Sequence, residues 1–137
     1  MVKITRDVIS ISDVINGVRN DASGGIIAYI GLIRDNSHEK SVASVEYGDA
    51  DGKAEARLQK IVDSAKENWP VNDMAIVHRV GKLNVGENNV VIAVSTGHRQ
   101  EGFAACQYAI DKFKEQLPTT KKETYADGSC LDYKPES

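Results

Sequence analysis

The chain predicts a fold of the α+β class, with helices laid over one face of a sheet; an α/β sandwich is the other arrangement its element order allows. Three observations carry this expectation. Apolar runs of strand length recur along the chain, two long stretches show helical spacing, and turn chemistry rich in glycine, asparagine or proline separates them. With 137 residues, 41% of them hydrophobic, the chain is large enough to bury a core, and residues 1–137 read as a single domain.

Residues 3–9 read as a short extended segment. Ser12 and Asp13 then offer an N-cap for a short helix with Val14, Ile15 and Val18 on one side. Asn20 to Gly25 is turn chemistry with two glycines. The near-continuous apolar run IIAYIGLI over residues 26–33 suits a strand covered on both faces. It stops abruptly at Arg34. Two readings of Arg34 stand: the start of a solvated loop, or a strand-end side chain aimed into a site. His38, amid Ser37, Glu39 and Lys40, reads as solvent-exposed.

Residues 41–47 form a second strand. Asp49 or Asp51 can cap a helix reaching to about Trp69, with Ala54, Leu58, Ile61, Val62 and Ala65 at helical spacing and Pro70 at its end. Residues 74–83 and 89–95 are further strands, parted by the turn-like stretch 84–87. A helix over 101–117 follows, closed by Pro118 and succeeded by Lys121-Lys122-Glu123.

The net charge of −3 and pI of about 5.6 argue against general nucleic-acid binding, yet leave room for a local cationic pocket. Apolar runs are too short for a transmembrane helix, and the N-terminus lacks a signal-type apolar block, so a cytoplasmic location is the expectation. Cys106 and Cys130 have no metal-ligand spacing and read as two reduced thiols. Neither a metal site nor a bound cofactor is expected.

The helix over 101–117 contains an anomaly. At about 100° per residue, Phe103, Cys106, Gln107, Ile110, Phe113, Lys114 and Leu117 fall within a sector of about 120°. Lys112 lies nearly opposite Phe103 and is solvated, whereas Lys114 lies near the middle of the apolar stripe. Three accounts of Lys114 are open: it snorkels to water, it meets a buried acid, or the stripe opens onto a cavity with an anionic ligand. His98-Arg99 stands at a strand-to-helix junction, where side chains and free N–H groups gather to bind anions. With Arg34, Lys114 and Lys121 it suggests a cationic pocket for a phosphate-bearing small molecule or a carboxylate-like chain terminus.

The motifs YIGLIR, WP before a strand, HRVGKL and STGHRQEGFAACQYAIDKFKEQLPTTKKE together resemble the large, catalytic subunit of molybdopterin synthase, the MoaE family. The resemblance implies an α/β hammerhead-type core with an additional small β subdomain. It implies a sulfurtransferase that inserts two sulfurs into cyclic pyranopterin monophosphate to form molybdopterin. The sulfur would come from the C-terminal thiocarboxylate of a small ubiquitin-like partner, MoaD-like, ending in Gly-Gly. A homodimer of large subunits would form the centre of a heterotetramer, with a site drawing on both copies.

Residue by residue, the resemblance gives Lys114 the handling of the thiocarboxylate and Lys121 proton donation or substrate contact. Arg34, with Leu32 and Ile33 before it, matches the strand-end substrate contact. His98 and Arg99 match a substrate-binding pair, and Lys122 and Glu123 complete the matched tail. Beyond Glu123 the likeness weakens. Leu131 stands where the family commonly has tryptophan, and the late arginine supplied by the neighbouring subunit has no counterpart, Lys134 being the nearest cation. The other reading is a non-catalytic module that docks a ubiquitin-like tail.

Overall fold

The computed structural model describes residues 1–135. Its elements in chain order are β1 (Val2–Thr5), α1 (Ile11–Gly17), β2 (Gly25–Leu32), β3 (Asn36–Ser37), β4 (Lys40–Gly48), α2 (Ala54–Asn68), β5 (Val71–Arg79), β6 (Gly81–Asn84), β7 (Asn88–Thr96), α3 (Arg99–Gln116), β8 (Thr120–Tyr125) and β9 (Cys130–Tyr133). The mixed content fits the expected α+β class. One sheet runs β1-β5-β7-β2, parallel only at its β1–β5 edge; the other runs β3-β4-β8-β9, with β6 also on β4.

The first sheet is covered on both faces, which is why its inner strands are apolar throughout. Leu58, Ile61 and Val62 of α2 and Ala105, Ala109 and Phe113 of α3 pack with Met74, Ile76, Ile92 and Val94 on one face. Val14 and Val18 of α1 meet Ala75, Val77, Val91 and Ala93 on the other. The second sheet has its own apolar cluster around Ile33, Val45, Tyr47, Leu83 and Tyr125.

Several local expectations change. Ser10, not Ser12 or Asp13, caps α1, its hydroxyl accepting from the Asp13 N–H. Asp49 and Asp51 both serve the start of α2, accepting from the N–H groups of Ala54 and Lys53 at 3.1 and 3.0 Å. The strand expected over 74–83 is two strands in different sheets. The break falls at Val80, and Gly81 takes φ 101°, a left-handed conformation that turns β6 away to join β4. Residues after Pro118 form the β8–β9 hairpin, and Cys130 is the first residue of β9.

The buried face of α3 is also rotated from the expected one. Gly102, Ala105, Cys106, Ala109 and Phe113 face the sheet, while Phe103 is 58% exposed. The true stripe is turned by roughly 80° from the one traced by the large residues. Small residues let the helix axis come close to the sheet: a side chain on Gly102 would meet Thr96 Oγ1 and Ile27 Cγ1 at 2.9 and 3.0 Å.

Where the two sheets meet, His78 is fully buried. Its Nδ1–H donates to the Asn89 carbonyl at 2.8 Å, so Nε2 accepts from the Thr119 hydroxyl at 3.0 Å. Its ring packs edge-on against Tyr47 and Phe113, with centroids 4.7 and 5.0 Å away. Burial lowers its pKa from 6.5 to about 4. It is a neutral pin between β5, the turn before β8, and the end of α3. Among the described residues, no helix is long and apolar enough to cross a membrane.

Candidate active site

Strand alternation decides which cations converge. On β8, Lys121 and Glu123 point to one face and Lys122 to the other. Lys121 and Glu123 line a cavity of about 80 Å³ with Ile33, Arg34, Asn36, Ser37, Val45 and Tyr47. Ile33 is buried at its floor, whereas Leu32, one residue earlier, is 57% exposed. Lys122 is exposed and pairs in register with Glu46 and Asp132, outside that cavity.

Glu123 is the polar centre of the cavity and is only 5% exposed. Its Oε1 accepts from the hydroxyls of Tyr133 at 2.9 Å and of Ser37 and Tyr125 at 3.3 Å each. Burial pushes its pKa up, but these hydroxyls and the charge of Lys121 outweigh it and hold the carboxyl below its ordinary value. It is therefore an anion at neutral pH, engaged with protein hydroxyls. Tyr47 is 4% exposed. Its hydroxyl oxygen accepts from Asn89 Nδ2 at 2.9 Å, and burial raises its pKa to about 12, so it remains a phenol.

Lys114 is exposed, with Nζ 5.7 Å from the centroid of Tyr29. The rotation of α3 explains this: Lys114 sits on the flank of the buried stripe, not in its middle. No carboxylate lies within ion-pair distance of Lys114, Lys121 or Arg34 among the described residues, so the buried-acid account of Lys114 falls away. Tyr29 lies on β2 five residues before Arg34, so the ring beneath Lys114 belongs to the strand that runs directly into the Lys121 cavity.

His98 and Arg99 lie elsewhere. They are exposed at the start of α3, with His98 in the N-cap position and making no side-chain cap. At about 1.5 Å per residue, Arg99 and Lys114 are roughly 22 Å apart along the helix. Arg34 follows the end of β2 that pairs with the start of β7, whereas His98 follows the end of β7. One copy of the chain thus carries two separated cationic groups, Arg34, Lys114 and Lys121 at one end and His98-Arg99 at the other.

Three residues of the site, Tyr47, Ser37 and Tyr133, were not among the candidates, and His38 was expected only to be exposed. Tyr47 was foreseeable, since alternation along β4 puts it on the same face as Val45. Ser37, His38 and Tyr133 had no such signal, because they depend on the β3–β4 and β8–β9 hairpins. His38 is largely exposed, as expected, yet its Nε2 lies 2.7 Å from the Tyr133 hydroxyl. Burial raises the pKa of Cys106 to about 11, leaving it a protonated thiol within the core; Cys130 is exposed. No cluster able to hold a metal occurs among the described residues.

The family model described as MoaE protein matches residues 4–116, ending with the last residue of α3. The chain is 35% identical over 128 residues to the molybdopterin synthase catalytic subunit of Thermoplasma volcanium, covering 93% of each. It is 35% identical over 129 residues to the human molybdopterin synthase catalytic subunit, covering 94% of this chain and 69% of that one. Its structure resembles the crystal structure of molybdopterin synthase from Staphylococcus aureus, with TM-score 0.86 and 30% identity over 95% of this chain and 94% of that one. The shared core from β1 to the end of α3, matched in both sequence and shape, means that the chain belongs to the MoaE family.

Proposed function

We propose that this protein is the catalytic subunit of a molybdopterin synthase, moving two sulfurs to cyclic pyranopterin monophosphate, one from the C-terminal thiocarboxylate of each of two partner molecules. The observation that carries the reading is the convergence of Arg34, Lys121 and Glu123 on one polar cavity, with Lys114 close by over Tyr29. Both reactants are anions, and cations without carboxylate partners suit them. Lys114 holds the thiocarboxylate and stabilises charge as its sulfur bonds to the substrate carbon and displaces an oxygen; water then cleaves the resulting thioester and returns the partner's terminus as a carboxylate. Lys121 contacts the substrate or protonates the departing oxygen. Arg34, with Leu32 and Ile33 before it, shapes the substrate end, and the bonds made by Glu123 suit a residue that holds the site in shape. Lys122, on the opposite strand face, is the weakest member of the set.

His98 and Arg99 join this site from a second copy of the chain. The roughly 22 Å along α3 keeps them from Lys114 within one copy. A homodimer at the centre of a heterotetramer, with a small ubiquitin-like subunit ending in Gly-Gly at each end, supplies that arrangement. We place the protein in the cytoplasm.

The other reading, a module that docks a ubiquitin-like tail without chemistry, needs Lys114 but gives the Lys121 cavity nothing to do. Incubation with thiocarboxylated small partner and cyclic pyranopterin monophosphate separates the two. The enzyme reading expects dithiolene product, and expects Lys114→Ala to keep fold and partner binding while losing about 100-fold or more in rate. Tail binding without product supports the docking module, and full activity of Lys114→Ala overturns the role given to that lysine.

A further inference from the structure

Tyr133 lies directly across the β8–β9 pair from Lys121. Residues opposed in this way project to the same face and touch. The Tyr133 ring centroid is 5.3 Å from Lys121 Nζ, within the reach of a cation over an aromatic face. The hydroxyl end of the ring is tied down. It donates to Glu123 Oε1 at 2.9 Å, and His38 Nε2 lies 2.7 Å from the Tyr133 hydroxyl oxygen itself. With the phenol proton committed to Glu123, the His38 nitrogen is the donor in the second bond.

His38 is itself held by the backbone. His38 and Glu39 have φ of 52° and 63° at the tip of the β3–β4 hairpin, the paired left-handed conformation of a tight two-residue turn. Three segments therefore fix one ring: β9 carries it, β8 accepts its proton, and the hairpin tip donates to it. Lys134, the next residue, takes the other direction and lines a separate cavity with Lys53, Arg57 and Thr119. Tyr133 is the residue of β9 in register with Lys121, and its ring reaches the ammonium.

We propose that Tyr133 is a positioning residue for Lys121, its ring face holding the ammonium at the cavity while Glu123 and His38 hold the ring. The proposal rests on the reading of Lys121 as an active-site group. A lysine side chain is a flexible four-carbon stem, and an aromatic wall on one side narrows the positions its charge can take. Such narrowing acts on the reacting complex more than on capture of the substrate, so it belongs in kcat rather than KM.

Phenylalanine at this position keeps the ring and loses the anchors; leucine keeps apolar bulk and loses the ring. The test compares Tyr133→Phe, Tyr133→Leu and Lys121→Ala in the full chain with its thiocarboxylated small partner. Kinetics of product formation are read together with the NMR shift of the Lys121 ε-methylene protons, assigned by their loss in Lys121→Ala. A ring face shifts those protons upfield whether or not substrate is present.

The expected result is an upfield signal in the wild type and in Tyr133→Phe that disappears in Tyr133→Leu. The kcat should fall about fivefold in the leucine variant and stay within about twofold in the phenylalanine variant, with KM little changed in both. An unshifted Lys121 signal in the wild type, or a leucine variant with full kcat while Lys121→Ala is inactive, overturns this proposal alone. Full kcat in Lys121→Ala instead overturns the underlying reading of Lys121. Equal losses in both tyrosine variants, with the signal unchanged, also overturn the positioning role.

Discussion

Acidification should weaken this fold through His78, and by an amount the structure sets. The ring is fully buried, its Nδ1–H is given to the Asn89 carbonyl, and its Nε2 accepts from Thr119. Burial lowers its pKa to about 4 from an ordinary 6.5. Between those values the unfolded chain binds a proton that the native ring refuses, so falling pH favours unfolding. The contribution is fully present above pH 6.5, shrinks as pH falls, and is exhausted near pH 4. At 1.36 kcal/mol per unit this amounts to about 3 kcal/mol, a large share of the stability of a small domain. Urea denaturation of the wild type and of His78→Gln at steps from pH 7 to pH 4 measures it. The glutamine variant should be weaker at pH 7 but nearly flat across the window, so the two curves converge toward pH 4. Parallel curves would refute the reasoning, because no proton uptake by His78 would then be linked to unfolding.

Glu123→Gln should cost about 1–3 kcal/mol in thermal or chemical denaturation, since three hydroxyls converge on the carboxylate oxygen. The pKa of Glu123 is depressed, so its contribution is present above its ordinary 4.5 and lost as pH falls through the folded value; the gap between wild type and variant should close below about pH 4.5. A gap that persists in strong acid would mean that the cost is steric. A thiol reagent at pH 8 should modify exposed Cys130 in the native protein and reach Cys106 only on unfolding, because burial raises the Cys106 thiol to about 11. Similar native rates for both would contradict the packing of α3.

Element type was legible wherever periodicity and length agreed. The apolar run of β2, the spacing of Leu58, Ile61, Val62 and Ala65 on α2, and the continuous apolar core of β7 all formed as expected. What escaped were features set by contacts distant in sequence. The separation of β5 from β6 turns on one glycine at positive φ, and MAIVHRVGKL gives no sign that its two halves join different sheets. The face of α3 was misjudged because the large residues were weighted, while the contact is made by Gly102, Ala105 and Ala109. Lys114 was rightly singled out, though placed mid-stripe; it lies on the exposed flank beside Tyr29, which agrees with the account in which it reaches water. Arg34 and Lys121 meet only because β2 ends where β4 and β8 pair, a junction that no local pattern encodes.

The straight run of α3 between Arg99 and Lys114 sets a length scale that side chains cannot bridge. On the two-copy site proposed above, the catalytic centre is completed by encounter rather than by folding. Its occupancy follows mass action: dilution below the self-association constant should lower specific activity, and activity should rise more steeply than linearly with enzyme concentration. A chain with defective His98-Arg99 and one with defective Lys114 should, when mixed, rebuild one working centre per pair from two inactive parents. Under that proposal the helix is a spacer as much as a scaffold, and its length makes quaternary structure a reactant.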